Sequence, residues 1–266
     1  MSALLSVGAV TVLFDGITAI SDVSFDVQQG ELLGLIGPNG AGKTTMLRVI
    51  TGVVRPTSGT VLLDGKPLDG LPTHLRIRRG LALSQQIVTP FRGMSLIDNV
   101  ALAAGADKTA SPVKALFHSR RERELGTGRQ LLSRLGIEPH ANESPEIQPM
   151  GILKRLELAR ALALAPKLLL LDEPLAGLNS KEARLLADTI TEINRSGTTI
   201  IMIEHNLGEV LRVCHRLVVL DNGRKIAEGE PEAVMHDATV RAAYLGSGAA
   251  ASTATTTTAG DQHAAA

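Results

Sequence analysis

Gly37-Pro38-Asn39-Gly40-Ala41-Gly42-Lys43-Thr44 satisfies G-x-x-x-x-G-K-[ST] at every fixed position. Immediately before it, Leu32-Leu33-Gly34-Leu35-Ile36 reads as a buried strand, and Thr45-Met46-Leu47-Arg48-Val49-Ile50 reads as the helix that follows. A glycine-rich turn in that setting is a phosphate cradle. The glycines let successive backbone N–H groups converge on oxygens, and the helix N-terminus adds the positive end of its dipole. In this arrangement Lys43 sits as a point charge on the β- and γ-phosphates, and the Thr44 hydroxyl holds Mg2+. The candidate nucleotide-binding residues are therefore Gly37, Pro38, Asn39, Gly40, Ala41, Gly42, Lys43, Thr44 and, at the head of the helix, Thr45. The implied ligand is a nucleoside triphosphate.

A second stretch, Leu168-Leu169-Leu170-Leu171-Asp172-Glu173-Pro174, agrees with the first. Four consecutive leucines describe a central strand buried on both faces. The acid pair falls where that strand emerges, at the sheet edge where open α/β folds bind their ligands. Asp172 is placed there to hold the metal ion, and Glu173 to orient or deprotonate the water that attacks the γ-phosphate. Taken alone, a carboxylate before a proline is equally a helix cap. The phosphate loop upstream favours the metal-site reading.

The rest of the chain bounds the possibilities. With 266 residues it has room for a full core and a subdomain, and 27 basic residues balance 27 acidic ones. No global basic field argues for nucleic acid. A single cysteine excludes an intrachain disulfide. The N-terminus lacks the basic and apolar regions of a signal peptide, and no apolar run is long enough to span a bilayer, so any membrane role is expected to come through a partner. Residues 4–14 and 22–28 alternate like antiparallel strands, and Thr60–Leu63 reads as a strand turning at Asp64-Gly65. The pattern from about 95 to 165 is helical. Its arginines at 120, 121, 123, 129 and 134 read as a solvated face with Glu122 and Glu124 as partners. Thr198–Ile203 and Arg216–Leu220 read as further buried strands. Residues 247–266, rich in Ala and Thr, have nothing to bury and are expected to be disordered.

With these motifs in this order, the chain resembles the ATP-binding cassette subunits that energise membrane transporters, over nearly everything up to Leu245. The resemblance implies an α/β fold: a P-loop NTPase (RecA-like) core with a mostly parallel sheet, an N-terminal antiparallel β subdomain and a helical subdomain at about 90–165, all within residues 1–246. It implies ATP and Mg2+ as ligands. Gln86 matches the glutamine that links the metal and the attacking water to the transmembrane contact surface, with Gln85 as a rival that aligns less well. His205, in Ile203-Glu204-His205-Asn206, matches the histidine that reaches the γ-phosphate. Asn179, in Ala176-Gly177-Leu178-Asn179, matches the loop that crosses to a partner subunit. Phe14 takes the place of the aromatic residue that stacks on adenine, although core packing is its other reading.

One motif departs from the family pattern. The signature before the helix Lys154–Leu162 usually reads L-S-G-G-Q; here it is Gln148-Pro149-Met150-Gly151-Ile152, and only Gly151 survives at its position. Pro149 offers neither a hydroxyl nor a backbone N–H. What remains to meet the nucleotide of the opposite subunit is the helix end from Gly151 onward. This form of the motif, with Asn179 after Gly177-Leu178, Lys225–Gly229 and Arg241–Gly246, is similar to the Liv-type importers of branched-chain amino acids. That resemblance implies a second ATPase subunit, permease subunits, an extracytoplasmic solute-binding protein and a place on the cytoplasmic face of the membrane. An exporter ATPase of lipid or lipopolysaccharide type shares every nucleotide motif and is the alternative. A nucleic-acid or ribosome-directed ATPase is disfavoured by the single phosphate loop, the lack of sustained heptads and the zero net charge.

Overall fold

The computed structural model describes residues 3–84, 89–106 and 121–244. Gln85, Gln86, Arg120 and the tail 247–266 lie outside the described residues. In chain order the elements are β1 (Ala3–Phe14), β2 (Ile17–Gln28), β3 (Leu32–Ile36), α1 (Lys43–Thr51), β4 (Ser58–Leu63), β5 (Lys66–Pro67), α2 (Thr73–Arg78), β6 (Leu81–Ser84) and α3 (Leu96–Ala104). They continue as α4 (Glu122–Arg134), α5 (Met150–Ala163), β7 (Leu168–Asp172), α6 (Ser180–Arg195), β8 (Thr199–Ile203), α7 (Leu207–Val213), β9 (Arg216–Asp221), β10 (Arg224–Gly229) and α8 (Pro231–His236).

Two sheets divide the strands. One is antiparallel, in the order β2-β1-β4-β5; the other runs β10-β9-β3-β8-β7-β6 and is parallel except at β10. The expected α/β fold with a mostly parallel sheet and an N-terminal antiparallel sheet is therefore present. The leucine-rich strands are explained by what they face. On β3 and β7, Leu32, Ile36, Leu169 and Leu171 join one apolar cluster, while Leu33, Leu35, Leu168 and Leu170 join the other. Successive side chains leave a strand on opposite faces, so a strand covered on both sides must be apolar throughout. The first cluster is closed by α3 to α6, and the second by α1 and the antiparallel sheet. Gly34 sits between them because a Cβ there would lie 2.5 Å from Leu217 Cδ2.

Several boundaries differ from the sequence reading, each for a local reason. Strand β2 begins at Ile17 rather than 22, because the hairpin turns at Asp15-Gly16, both in the left-handed region at φ 45° and 85°. Helix α1 begins at Lys43, inside the motif, with Gly42 at φ 101° as its N-cap. The helical face with the arginines also reaches beyond its own helix. Arg121 pairs with Asp98 at 3.2 Å, Arg134 donates to Ser196 Oγ at 2.7 Å, and Glu124 turns inward and is buried. Buried Asn99 bonds the loop ahead of α3 at both ends of its amide, accepting from Phe91 N–H at 2.8 Å and donating to the Ser95 carbonyl at 3.0 Å.

Candidate active site

The carboxyl ends of β3, β7 and β8 point to one side of the sheet, and a cavity of about 490 Å³ opens there over the phosphate loop. Asn39 to Thr45, Glu173 and His205 all line it. Residues 130 positions apart in sequence thus meet because three neighbouring parallel strands end together.

The loop itself is held closely from behind. A Cβ on Gly42 would lie 2.6 Å from Ile20 Cδ1 and 2.9 Å from the Ala19 carbonyl oxygen; one on Gly37 would lie 2.0 Å from the Leu220 carbonyl oxygen. Only glycine allows this approach, which wedges the loop between β2 and the β9–β10 hairpin. Lys43 is buried at 6 % exposure, and its ammonium donates to the carbonyls of Gly37 at 2.7 Å and Pro38 at 2.9 Å. Burial lowers its pKa, while the carboxylates of Glu173 and Asp172 act to raise it. Thr44 is exposed at the first turn of α1, where backbone N–H groups have no helical partner.

Asp172 ends β7, paired with Ile203 on β8. Burial and then the neighbouring Glu173 push its pKa up, against the opposing pull of Arg48, Lys43 and His205. Its Oδ1 is buried without a hydrogen-bond partner. A carboxylate oxygen in that condition suits a cation, because a hard divalent ion takes oxygen ligands of this kind and offsets the desolvation. The donor set of Thr44 hydroxyl and Asp172 carboxylate therefore fits Mg2+.

Glu173 leaves the strand in the left-handed region at φ 51°, which is uncommon for a residue with a Cβ. Its N–H donates to the Ile203 carbonyl at 3.0 Å, and its Oε1 meets His205 Nε2 at 2.7 Å. The strained turn lifts the carboxylate off the strand axis toward His205 and the cavity.

The other sequence candidates are placed elsewhere. Phe14 sits at the β1–β2 hairpin tip, 46 % exposed and paired with Ile17, which is 73 % exposed and lines the cavity. It is not packed in the core. Gly151 and Asn179 are not brought to this cavity. A Cβ on Gly151 would lie 3.3 Å from Glu182 Oε1, and Asn179 forms a capping box with the same Glu182: its Oδ1 accepts from Glu182 N–H at 3.0 Å and its own N–H donates to Glu182 Oε2 at 3.2 Å. Gln86 lies outside the described residues. Conversely, the cavity includes Thr18, Ala19, Asn222 and Gly223, which the sequence reading did not single out. The signal for the last two was present as an Asn-Gly turn between strands.

Comparison with known proteins agrees with this geometry. Residues 20–176 match the ABC transporter family, and residues 224–250 match the branched-chain amino acid ATP-binding cassette transporter family. The chain is 37% identical over 254 residues to the high-affinity branched-chain amino acid transport ATP-binding protein LivG of Escherichia coli K12, covering 91% of this chain and 98% of LivG. It is 36% identical over 246 residues to the lipopolysaccharide export system ATP-binding protein LptB of Acidithiobacillus ferridurans, covering 92% and 98%. The fold superposes on the ADP conformation of an ATP-binding cassette of an ABC transporter with a TM-score of 0.82, at 28% identity, covering 92% of this chain and all of that one. This chain belongs to the ABC transporter family, as one of its ATP-binding, ATP-hydrolysing cassettes.

Proposed function

We propose that this chain powers a membrane importer of branched-chain or related amino acids, from the cytoplasmic face of the membrane. It would act with a second cassette and permease subunits, and in the full system with an extracytoplasmic solute-binding protein. The observation that carries the ATPase chemistry is the convergence of Lys43, Thr44, Glu173 and His205 on one cavity, with the Asp172 carboxylate close enough to feel the charges of Lys43, Glu173 and His205. What supports import of these substrates is the C-terminal match at 224–250, together with the likeness to LivG.

The residues divide the work as follows. Lys43 exchanges the Gly37 and Pro38 carbonyls for phosphate oxygens, which costs little because one set of acceptors replaces another. The N–H groups of Gly40 to Thr45 receive the remaining phosphate charge at the start of α1. Thr44 and Asp172 would hold Mg2+, with Gln86 as a further ligand; when bound, the ion supplies charge neutralisation between the β- and γ-phosphates. Glu173 orients or deprotonates the attacking water, and His205 donates to the γ-phosphate. In the present arrangement these two side chains hydrogen-bond each other, so both must turn outward to engage a substrate. Phe14, beside Ile17, offers an apolar face for adenine. Gly151 and Asn179 face the second cassette.

The test is uptake of labelled leucine, isoleucine and valine by cells lacking this chain, complemented with the wild type or with Glu173→Gln. Loss of uptake that only the wild type restores is the expected result. Unchanged uptake, in cells without a redundant importer, would sink the substrate reading. The exporter reading rests on the likeness to LptB and would then take its place, read out as lipopolysaccharide at the cell surface in the same strains.

A further inference from the structure

Two charged residues that have no role in the reading so far are buried beneath the reacting pair. Glu204 is 4 % exposed and Lys154 is 6 % exposed. Fully buried charges of this kind are rare unless each is held by specific partners. Glu204 precedes His205, and its carboxylate faces two backbones at once. Oε1 accepts from the N–H of Leu175 at 2.6 Å, and Oε2 accepts from the N–H of His205 at 3.1 Å. Leu175 lies two residues after Glu173, so one carboxylate binds the segment carrying the general base to the segment carrying the histidine. Lys154 comes from a different element, the signature helix α5, and its ammonium donates to the Glu173 carbonyl at 3.1 Å.

We propose that Glu204 and Lys154 are positioning residues for ATP hydrolysis, a buried clamp that fixes the backbones of Glu173 and His205 relative to each other and to the signature helix. The clamp explains how Glu173 can occupy the left-handed region at φ 51°: its N–H and its carbonyl are both bonded, to Ile203 and to Lys154. A backbone held at both groups cannot relax to a commoner conformation without losing them. Burial pushes the Glu204 pKa up against the pull of its backbone N–H donors, and burial pushes Lys154 down while Glu204 and then Glu173 act to raise it. Neither residue lines the cavity. Their effect must pass through the placement of Glu173 and His205, which is felt in the chemical step rather than in nucleotide binding.

The inference rests on Glu173 and His205 as the hydrolytic pair, so Glu173→Gln serves as the reference variant. Glu204→Gln keeps the shape of the side chain but turns an amide NH2 toward one of two backbone N–H donors. In the transporter purified through this chain, kcat for ATP should fall at least tenfold, with KM and the affinity for a non-hydrolysable ATP analogue within twofold and the melting temperature little changed. Lys154→Met should give the same split, and Lys154→Arg, which keeps a donor, should recover kcat to within about threefold of wild type. If Glu204→Gln does not fold, the Lys154 pair carries the test alone. Unchanged kcat in Lys154→Met, or loss of kcat, nucleotide affinity and melting temperature together, overturns the proposal. If Glu173→Gln itself hydrolyses ATP normally, it is the assignment of the base that fails, not the clamp.

Discussion

The β9–β10 turn offers a sharp test of how the phosphate loop is supported. Gly223 has φ 75°, and its N–H donates to the Ala41 carbonyl at 3.1 Å, while its carbonyl accepts from Ser21 N–H at 2.8 Å. A Cβ there would lie 2.6 Å from the Ala19 carbonyl oxygen and 3.0 Å from its carbon, both backbone atoms of β2. Gly65, at φ 68°, has nothing within 4 Å of the same position. Gly65→Ala therefore incurs only the left-handed conformation, about 1–2 kcal/mol. Gly223→Ala incurs the same cost and must also move the turn away from β2. That movement loses at least one of the two hydrogen bonds, each contributing about 0.5–1.5 kcal/mol, for a total of about 2–4 kcal/mol. For a chain of this size 1 kcal/mol corresponds to roughly 2–4 °C in Tm, so Gly223→Ala should melt lower than Gly65→Ala by several degrees. Because the Ala41 carbonyl belongs to the loop, Gly223→Ala should also weaken ATP binding about tenfold, the equivalent of 1.4 kcal/mol. Melting curves and calorimetric titration with ATP read both effects. Equal Tm and equal ATP affinity in the two variants would refute the argument that this turn braces the loop.

Three further outcomes follow from single residues. Glu173→Gln should retain ATP binding and accumulate an ATP-bound closed dimer, visible by size-exclusion chromatography; hydrolysis at the wild-type rate would exclude Glu173 as the base. Asp172→Asn should abolish hydrolysis yet stabilise the metal-free protein at neutral pH, since burial and Glu173 raise the Asp172 pKa above its ordinary 3.8 and the fold therefore disfavours the ionised form. That penalty is fully present above the raised pKa and disappears below 3.8, so denaturation midpoints of variant and wild type should converge as pH falls from 7 toward 4. Arg76, 4 % exposed, donates to the carbonyls of Val49, Ile50 and Leu71 at 2.7 to 2.9 Å and closes the C-terminal end of α1, so Arg76→Met should cost about 2–4 kcal/mol, seen as a lower urea midpoint with unchanged slope.

The legible parts of this fold are those whose physics is local. Leu168–Leu171 and Leu32–Ile36 announce a doubly covered sheet because burial on both faces leaves no polar position, and the spacing of Gly37, Gly42, Lys43 and Thr44 is dictated by the phosphate they would surround. Asp172 and Glu173 were readable as the end of such a strand. Strand β6, with four residues, is too short to show a period and was not read. Glu204 and Lys154 look like ordinary surface charges, because nothing local distinguishes a solvated lysine on a helix from one that reaches the backbone carbonyl just past a strand's end. On α4, Arg121 takes Asp98 of the neighbouring α3 as a partner, and Glu124 lies on the packed side of the helix; the spacing of charges along one helix announces neither. Tertiary packing decides such cases.

The same contrast bears on the signature segment, where the sequence departure and the structure point one way. Pro149 is the N-cap of α5 and provides no side-chain hydrogen bond to it. Pro149 and Ile152 stand where the family pattern has serine and glutamine, and Ile147, 74 % exposed, and Met150, 48 % exposed, add further apolar groups to the tip. A nucleotide facing that tip can receive backbone N–H groups and the helix dipole but no side-chain donor from Gln148's neighbours Pro149 and Met150. The phosphate-loop side carries a full complement in Lys43, Thr44, Asp172, Glu173 and His205. On the function proposed above, one chain would hold a strong half-site and a weak half-site. Two identical copies would build two composite sites that each combine the strong half with the weak one. Pairing with a cassette whose signature keeps its serine and glutamine would instead give this chain's phosphate loop a complete partner, and would concentrate hydrolysis at that single interface.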